Sequence, residues 1–312
     1  MTAPNPRILP YGEAAIAEAA AIIAAGGCVA TPTETVYGLA ADATDAEAVA
    51  GIYAAKGRPS FNPLIVHVAD RRAAEAIAMF DRDARALADA FWPGPLTLVL
   101  PLRPDAPIAG LVTAGLSTVA IRVPQHRAMQ ALLTATGKPL AAPSANASGS
   151  ISPTRAAHVA ASLAGRIPLI IDDGATSGGI ESTIVAVGPQ PRLLRPGPVS
   201  AAEIEREIGR WLAGAGEAIE APGQLASHYA PHKPLRLNAT QAREGEWLIG
   251  FGAVAGDDSL SATGDLTEAA ARLFDALHRA DASDRTAIAV AAVPEDGIGL
   301  AINDRLKRAA TR

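Results

Sequence analysis

The sequence predicts an α/β fold in which helices flank a mixed sheet, followed by a small Rossmann-like α/β module. Short apolar runs alternate with alanine-rich helical patterns over residues 13–194, as expected for a sheet covered by helices. Two strand patterns follow the glycine-rich segment 174–179, which indicates a hairpin and therefore antiparallel pairs as well. Strand and helix patterns alternate again after residue 234. We therefore expect a first domain over residues 1–212, a linker over 213–234 and a C-terminal domain over 235–312.

The elements of the first domain follow from local signals. A helix over 13–25 ends at Gly26 and Gly27, and the next strand, at 28–30, ends before Pro32, which cannot donate to a sheet ladder. Thr44 and Glu47 are spaced as a capping box for the following helix. Further strands are predicted at 64–68, 96–100, 118–123, 140–142, 169–171, 183–187 and 192–194. Further helices are predicted within 71–78, 83–90, 125–134 and 153–163.

The end of the chain repeats this alternation. Ser200 and Glu203 form a second capping box, which starts a helix that runs to about residue 212. The linker is rich in glycine and proline and shows no apolar periodicity. Beyond it, strands are predicted at 235–237, 246–251 and 287–293, and helices at 266–277 and 298–308. The segment GFGAVAG at 250–256 lacks the spacing of a dinucleotide fingerprint and precedes two aspartates, so we predict no phosphate site there.

Composition and charge exclude several classes of protein. The 312 residues are 49% hydrophobic and 19% charged, which is typical of a globular chain long enough for two domains. A net charge of −5 lacks the basic excess that nucleic-acid binders carry. The single cysteine, Cys28, excludes an internal disulfide framework and fits a reducing compartment. The polar, proline-broken N-terminus and the short apolar stretches predict neither a leader nor a membrane span, so we expect a cytoplasmic protein.

Two cations, Lys56 and Arg58, alternate on a turn stiffened by Gly57 and Pro59 at the end of a predicted helix. A lysine point charge and a planar arginine fork suit a polyanionic phosphate. The alternative is a solvated helix end, because basic residues favour helix C-termini through the helix dipole. Both interpretations stay open on this segment alone.

The segment 143–154, PSANASGSISPT, is rich in small hydroxyl residues and precedes a predicted helix. Ser152 followed by Pro153 has the pattern of an N-cap with proline at the first helical position. A helix N-terminus of this kind is also a ready anion site. The structural and the phosphate-binding interpretations can hold together.

Thr118 and Arg122 lie on one face of a predicted strand, because side chains alternate along a strand. An arginine on a mostly apolar strand needs a partner, and a structural carboxylate such as Asp172 or Glu181 is one candidate. His67, inside an apolar run, taken alone is most often a satisfied core histidine. These residues become informative only in combination.

No metal motif or P-loop is readable. His228 and His232 have helical spacing, but Pro231 lies between them and no carboxylate or cysteine completes a zinc set. Gly137 and Lys138 are followed by proline, so a Walker A motif is absent from the sequence. Nucleotide binding would therefore not use a P-loop.

Five motifs in a fixed order give the chain a resemblance to a known family. They are PTETVYGL at 32–39, KGRP at 56–59, NPL at 62–64, PSAN at 143–146 and ESTIV at 181–185. Together they resemble the threonylcarbamoyl-AMP synthase family, the YrdC-like enzymes, in the long form with a C-terminal extension. The resemblance covers about residues 16–199, and HYAP at 228–231 is similar to the linker of the long form. It implies a twisted mixed sheet with flanking helices for a catalytic domain over residues 1–212.

The resemblance also implies roles for single residues. Arg122 would bind the carboxylate of the amino-acid substrate, and Lys56 and Arg58 would form the catalytic pair that meets phosphate. The positions that match threonine-binding residues are Thr35, His67, Arg122, Ala142 and Ser182. The positions expected to bind ATP are Lys56, Arg58, Asn62, Thr118, Ser144, Asn146, Ser152, Arg195 and Tyr229. No residue is assigned to a metal.

The activity implied by the resemblance is that of a nucleotidyltransferase. L-threonine, bicarbonate or CO2, and ATP would give L-threonylcarbamoyl-adenylate and pyrophosphate, with Mg²⁺ held mostly by phosphate and water. The product would serve formation of N6-threonylcarbamoyladenosine at position 37 of tRNA, through a separate and transiently bound tRNA threonylcarbamoyltransferase. We expect at most a weak contact with tRNA and no membrane contact. The linker and the C-terminal domain would cover the labile product.

Two other functions compete with this interpretation. An RNA-binding translation or ribosome-maturation factor without adenylyl transfer is disfavoured by the acidic charge balance. A carbamoyltransferase of the hydrogenase-maturation type is disfavoured because the acylphosphatase and zinc-finger segments are missing from the sequence. No serine, cysteine or lysine stands beside an obvious base, which disfavours covalent catalysis. The sequence instead offers groups that position substrates and carry positive charge, and both suit adenylyl transfer.

Overall fold

The computed structural model describes residues 5–216, 220–224 and 228–311 and has an α/β fold built on two sheets. The strands of the large sheet are β1 (Arg7–Pro10), β2 (Val29–Pro32), β3 (Tyr37–Asp42), β4 (Ile65–His67), β5 (Leu96–Pro101), β6 (Thr118–Arg122), β7 (Leu140–Ala141), β8 (Leu169–Asp172), β9 (Thr183–Ala186), β10 (Arg192–Arg195) and β11 (Ala213–Gly214). The helices around it are α1 (Glu13–Ala24), α2 (Ala46–Lys56), α3 (Arg71–Glu75), α4 (Arg82–Phe91), α5 (Gly110–Thr113), α6 (Arg127–Thr136), α7 (Ala156–Ser162) and α8 (Ala201–Ile208). No helix in the described segments is long and apolar enough to span a bilayer.

The large sheet is mixed, as the sequence predicts. Its strand order is β1-β8-β2-β3-β7-β4-β6-β5-β9-β10-β11. The pairs β4/β6 and β5/β9 are parallel, whereas β5/β6 and β9/β10 are antiparallel, and β9/β10 is the hairpin expected after the glycine-rich segment. The β4/β6 register aligns His67 with Arg122, so these two polar side chains lie side by side on one face of the sheet.

Helices cover the two faces of the large sheet unequally. On one face α2, α4 and α8 pack through residues such as Ile52, Leu87 and Ile204. On the other face α1 and α6 pack together over the β8, β2, β3 and β7 region. Beyond α6, strands β4, β6 and β9 carry on this face a small apolar cluster that includes Ile65 and Ala120. The polar cavity described below forms over this part of the sheet.

Helix α2 leads into the turn that carries Lys56 and Arg58. It begins after Asp45, whose side chain accepts hydrogen bonds from backbone amides of the first turn. The expected capping box of Thr44 and Glu47 is therefore wrong, because the N-cap lies one residue later. The helix ends at Gly57, whose φ of 59° is the left-handed conformation that glycine adopts without steric cost.

The helix after the PSAN segment begins later than predicted. Helix α7 begins at Ala156 with Arg155 at its N-cap, not at Pro153. Ser152 is therefore not an N-cap, and the N-terminus of this helix lies three residues further along the chain than predicted. Its hydroxyl donates instead to the buried carboxylate of Glu181.

The C-terminal sheet contains β12 (Leu235–Arg236), β13 (Glu246–Gly250), β14 (Asp258–Ser259) and β15 (Ala287–Val290), and its helices are α9 (Leu266–Ala282) and α10 (Gly299–Ala310). The strand order is β12-β15-β13-β14, and all three pairs are parallel. A small parallel sheet with helices between its strands agrees with the predicted Rossmann-like module.

The C-terminal module packs directly on the first domain. One apolar cluster contains residues of α9 and α10 together with Val36, Ile151, Ile180 and Tyr229. Gly179, in the loop before β9, approaches α9 so closely that a Cβ atom there would lie 2.4 Å from the backbone oxygen of Ala270. The large sheet ends at β11 and the small sheet starts at β12, but the domain boundaries at 212 and 234 stay predictions.

Candidate active site

A buried polar cavity lies over the part of the large sheet beyond α6, between the strands and the linker. Its free volume is about 40 Å³, which is room for only a few water molecules. His67 and Arg122 line the sheet side, and Gly223 and Tyr229 line the linker side. The cavity therefore joins the motifs of the first domain to the HYAP segment.

Lys56, the last residue of α2, is buried and faces the PSAN segment. Its Nζ donates to the carbonyl oxygens of Ser144, at 2.6 Å, and Asn146, at 2.5 Å. Both acceptors are neutral. Burial, together with the charges of Arg58 and Arg166, lowers the pKa of Lys56 well below the ordinary lysine value. An anionic ligand would compensate this otherwise costly charge.

Arg58 and Arg195 are two cations that line the cavity itself. Arg58 donates through Nε to the carbonyl of Asn62 at 3.1 Å and through Nη2 to that of Pro63 at 2.9 Å. Arg195, at the end of β10, donates to the carbonyl of Ser182 at 3.0 Å and to its hydroxyl at 3.1 Å. Burial lowers the pKa of Arg58 to about 10 and also lowers the pKa of Arg195. Within the described chain, neither arginine forms an ion pair with a carboxylate.

Arg122, at the end of β6, is held by three acceptors. Its Nη1 donates to Thr35 Oγ1 at 3.0 Å, its Nη2 to Glu34 Oε1 at 2.5 Å, and its Nε to a backbone carbonyl at 3.0 Å. Its carboxylate partner is therefore Glu34, and the alternatives Asp172 and Glu181 are wrong. Burial is the largest single effect on the pKa of Glu34 and raises it, but the charge and hydrogen bond of Arg122, together with hydrogen bonds from backbone amides, lower the pKa below its ordinary value.

His67 is buried beside Arg122 and lines the cavity. Its Nδ1 has no hydrogen-bond partner, so it is not the satisfied core histidine of the alternative interpretation. Burial, together with the nearby Arg122 charge, lowers the pKa of His67 to about 3. The ring is therefore neutral at physiological pH, with one nitrogen free for a ligand.

Several buried polar atoms in and around the cavity have no hydrogen-bond partner among the described residues. They are Glu34 Oε2, Asn62 Oδ1, His67 Nδ1, Asn146 Oδ1, His228 Nδ1 and the Tyr229 hydroxyl. Unpaired buried polar atoms are rare because each costs free energy. Their concentration next to three uncompensated cations indicates the binding site of a polar, anionic ligand.

The structure brings most of the predicted site residues together here. Those that line the cavity are Thr35, Arg58, His67, Arg122, Ala142, Ser144, Ser182, Arg195 and Tyr229. Lys56, Asn62 and Ser152 each form a hydrogen bond with a residue of the lining, and Asn146 accepts a hydrogen bond from Lys56. Thr118 begins β6, at the opposite end from Arg122, and does not line the cavity.

Four residues in or next to the site were not assigned to the site from the sequence. Glu34, Glu181 and His228 lie inside the PTETVYGL, ESTIV and HYAP motifs, so the motifs could have identified them. Arg305 on α10 lies far from any motif. Its only local signal is a charged residue within the apolar stripe of a helical pattern.

Models of two protein families match the chain over nearly its whole length. The model described as "Telomere recombination" matches residues 21–197, and the model described as "Threonylcarbamoyl-AMP synthase, C-terminal domain" matches residues 199–311. A threonylcarbamoyl-AMP synthase of Bacillus subtilis (strain 168) is 43% identical over 95% of this chain and 92% of its own length. The chain belongs to the threonylcarbamoyl-AMP synthase family. Another member, from Pyrococcus abyssi (strain GE5 / Orsay), is 42% identical over 93% of this chain and 92% of its own length.

Solved structures of threonylcarbamoyl-AMP synthase relatives share the architecture. The crystal structure of P. abyssi Sua5 complexed with L-threonine superposes with a TM-score of 0.90, at 38% identity over 97% of each chain. E. coli YciO covers 64% of this chain at 19% identity with a TM-score of 0.56, a likeness that shows the fold alone. The family and the two-part α/β fold predicted from the sequence are therefore confirmed.

Proposed function

We propose that the protein synthesises L-threonylcarbamoyl-adenylate and pyrophosphate from L-threonine, bicarbonate or CO2, and ATP. The observation that carries this proposal is the convergence of Lys56, Arg58 and Arg195, three buried cations without a carboxylate partner in the described chain, beside Arg122. A triphosphate would compensate the first three charges, and an amino-acid carboxylate would bind the fourth. Membership of the threonylcarbamoyl-AMP synthase family agrees with both ligands.

Arg122 and Thr35 form the centre of the proposed threonine subsite. The P. abyssi relative was crystallised with L-threonine, and Arg122 here already binds one carboxylate, that of Glu34. A substrate carboxylate would share the guanidinium with Glu34 or replace it. The neighbouring proposed contacts are His67, Ala142 and Ser182.

Lys56, Arg58 and Arg195 form the proposed triphosphate subsite. Lysine acts there as a point charge and each arginine as a planar fork for phosphate oxygens. The further proposed ATP contacts are Asn62, Thr118, Ser144, Asn146, Ser152 and Tyr229. Thr118 is included on the family resemblance alone, because it lies outside the cavity.

The proposed reaction has two steps. The threonine amine adds to CO2, so that an N–C bond forms, the amine loses a proton and a carbamate results. A carbamate oxygen then attacks the α-phosphorus of ATP, and the bond from the α-phosphorus to the bridging oxygen breaks, which releases pyrophosphate. The three cations stabilise the charge that the leaving pyrophosphate gains.

Mg²⁺ is proposed to enter with ATP. Among the described residues, no group of three or more His, Cys, Asp or Glu side chains is arranged to hold a metal ion. The carboxylates at the cavity, Glu34 and Glu181, are already paired with Arg122 and Arg305. The described residues do not fit a resident metal site, so phosphate oxygens and water would hold the ion.

The linker is proposed to cover the site. Tyr229 is fully buried, and the next residue, Ala230, pairs with Ser150 of the first domain. The cavity of about 40 Å³ is much smaller than the roughly 300–1,000 Å³ that ligand pockets usually have, so ATP needs this segment to move away. Its return would shield the labile adenylate from water.

The proposed product is consumed by a separate tRNA threonylcarbamoyltransferase, which modifies adenosine 37 of tRNA. The net charge of −5 supports at most a weak contact of this protein with tRNA. The encounter with the transferase is therefore proposed to be transient, with the adenylate as the species that passes between the two enzymes.

Radiolabelled bicarbonate tests the proposed reaction. The purified protein is incubated with the label, ATP and Mg²⁺, with and without L-threonine, and the labelled adenylate and pyrophosphate are measured. We expect label in the adenylate only when threonine and ATP are both present, with one pyrophosphate per adenylate. Label that enters an adenylate without threonine, or AMP transfer that ignores bicarbonate, contradicts the proposal. A protein that binds tRNA but forms no adenylate supports the RNA-binding alternative instead.

A further inference from the structure

Arg305 of the C-terminal helix α10 reaches out of its own module into the first domain. Its side chain is fully buried, with 0% exposure, and it is among the largest such side chains in the described chain. It stands among the buried apolar residues Ile302 and Leu306 of the same helix. A purely apolar side chain would cover this contact at a lower desolvation cost, so the charge itself requires an explanation.

The guanidinium of Arg305 contacts the first domain at two segments that flank Arg195 and its partner Ser182. Its Nε donates to Glu181 Oε2 at 3.0 Å, and Glu181 directly precedes Ser182. Its Nη1 donates at 2.7 Å to the carbonyl of Pro196, which directly follows Arg195. One side chain of the C-terminal module therefore contacts both segments that hold Arg195, a cation of the proposed triphosphate subsite.

Arg305 also contacts the wall and the cover of the cavity. Glu181 lines the cavity, and its other oxygen, Oε1, accepts the hydroxyl of Ser152. The guanidinium carbon of Arg305 lies 5.5 Å from the centre of the Tyr229 ring, within the range of a cation–π contact. Phe274 of α9 packs on the same ring with a centroid separation of 5.5 Å. The linker tyrosine therefore contacts both helices of the C-terminal module.

We propose that Arg305 is a positioning residue through which docking of the C-terminal module completes the nucleotide site. It acts on ATP through Arg195, Glu181 and Tyr229 and does not itself line the cavity. In the described chain, Arg122 and Thr35 of the threonine subsite form no hydrogen bond with Arg305, whereas Ser182, which the threonine subsite shares with Arg195, directly follows Glu181. This inference rests on the proposed function and deepens it, because it makes ATP binding depend on the C-terminal module.

The test compares Arg305→Met and Arg305→Lys with a matched control, Lys307→Met. Lys307 lies on the same helix, is 66% exposed and pairs with Glu295 at the surface. The KM values for ATP and threonine and kcat are measured from pyrophosphate release, and the Kd for ATP is measured by calorimetry.

We expect Arg305→Met to raise the KM and Kd for ATP by roughly 10- to 100-fold while the KM for threonine changes by less than about threefold. Arg305→Lys keeps the charge but cannot contact both segments, so its effect should be smaller and in the same direction. The control should stay within about twofold of the wild type. Glu181→Gln combined with Arg305→Met should cost less than the product of the two single effects, because both act through one contact.

Three results overturn the inference: an unchanged affinity for ATP, an equal rise in the KM for both substrates, or multiplicative effects of the two substitutions. Melting curves show whether each variant is folded, and if Arg305→Met is not, the comparison of Arg305→Lys with Lys307→Met decides. A wild-type protein that forms no adenylate refutes the proposed function instead. The calorimetric affinity for ATP still tests Arg305 in that case.

Discussion

Lys56 is a residue whose burial lowers the stability of the fold and whose charge serves the proposed function. Its ammonium group is buried, and its acceptors are two neutral carbonyls. Arg58 and Arg195 repeat this arrangement with carbonyl and hydroxyl acceptors. Buried charges without counter-ions destabilise a fold, so their retention at one cavity is explained by an anionic ligand.

Replacing Lys56 by Met should lower kcat/KM for ATP by about 100- to 1,000-fold, because the proposed triphosphate subsite loses one of its three positive charges. Steady-state pyrophosphate release measures the effect, and a melting curve separates it from unfolding. Lys138→Met is the matched control, since Lys138 is 52% exposed and pairs with Asp42 outside the cavity. A loss below about tenfold, or an equal loss in the control, would show that Lys56 does not serve the phosphates.

Replacing Arg122 by Lys should raise the KM for threonine by roughly 10- to 100-fold and leave the KM for ATP nearly unchanged. Lysine keeps the charge but cannot hold Thr35, Glu34 and a substrate carboxylate at once. Arg127→Lys serves as the control, because Arg127 is 70% exposed and pairs with Asp173 outside the cavity. If the KM for ATP rose instead, the threonine subsite would lie elsewhere.

At the scale of elements, the turn after α2 orients Lys56 and Arg58, the two cations proposed to bind phosphate. Gly57 places a left-handed residue between Lys56 and Arg58, so the chain reverses while both side chains stay directed inward. The sequence predicted this helix end, and the capping box at Ser200 and Glu203 is confirmed as well. It placed the start of α2 one residue early, because Thr44 and Asp45 are both good N-caps and only the packed chain selects between them.

Gly57→Ala and Gly137→Ala form a matched pair of element-scale variants. Both glycines end a helix with φ near 60°, and an added Cβ meets nothing within 4 Å at either position. Each substitution should therefore lower the free energy of unfolding by a similar amount, about 1–2 kcal/mol, from backbone strain alone. Urea unfolding measures this cost.

Activity should separate the two variants. Gly57→Ala should lower kcat/KM for ATP by roughly tenfold or more, because small displacements of Lys56 and Arg58 weaken alignment with the phosphates. Gly137→Ala should keep the activity of the wild type, because Gly137 does not line the cavity. Equal activity in both variants would mean that the geometry of this turn is unimportant for the reaction.

At the scale of the whole molecule, several histidines have lower pKa values in the folded chain than in the unfolded chain. Burial is the main cause that lowers the pKa of His67, His126, His158, His228 and His278 below the ordinary value. For His67 and His158 the pKa falls to about 3. The histidines of the unfolded chain bind protons near pH 6.5, whereas His67 and His158 in the folded chain stay neutral to much lower pH, so their contribution to stability is complete above pH 6.5 and is lost as the pH falls.

Stability should therefore decrease when the pH is lowered from about 7.5 to 5.5, by roughly 1 kcal/mol for each histidine that stays neutral in the fold. Carboxylates contribute little in this window, because they titrate near pH 4. Urea unfolding at several pH values measures the slope, and His158→Gln should reduce it by about one proton. A free energy of unfolding that is constant over this range would contradict the buried neutral state of these histidines.

The sequence by itself determined the α/β alternation, because this depends on local hydrophobic periodicity. It also determined the family and most residues of the cavity, because these are carried by short motifs of consecutive residues. It did not predict that Glu34 binds Arg122, 88 positions away, or that Glu181 binds Arg305, 124 positions away. It also started α7 three residues early and so gave Ser152 a capping role that the structure replaces with a hydrogen bond to Glu181. Only the tertiary structure decides such pairs, since the partner of a buried charge is whichever group the packed sheets and helices bring within reach.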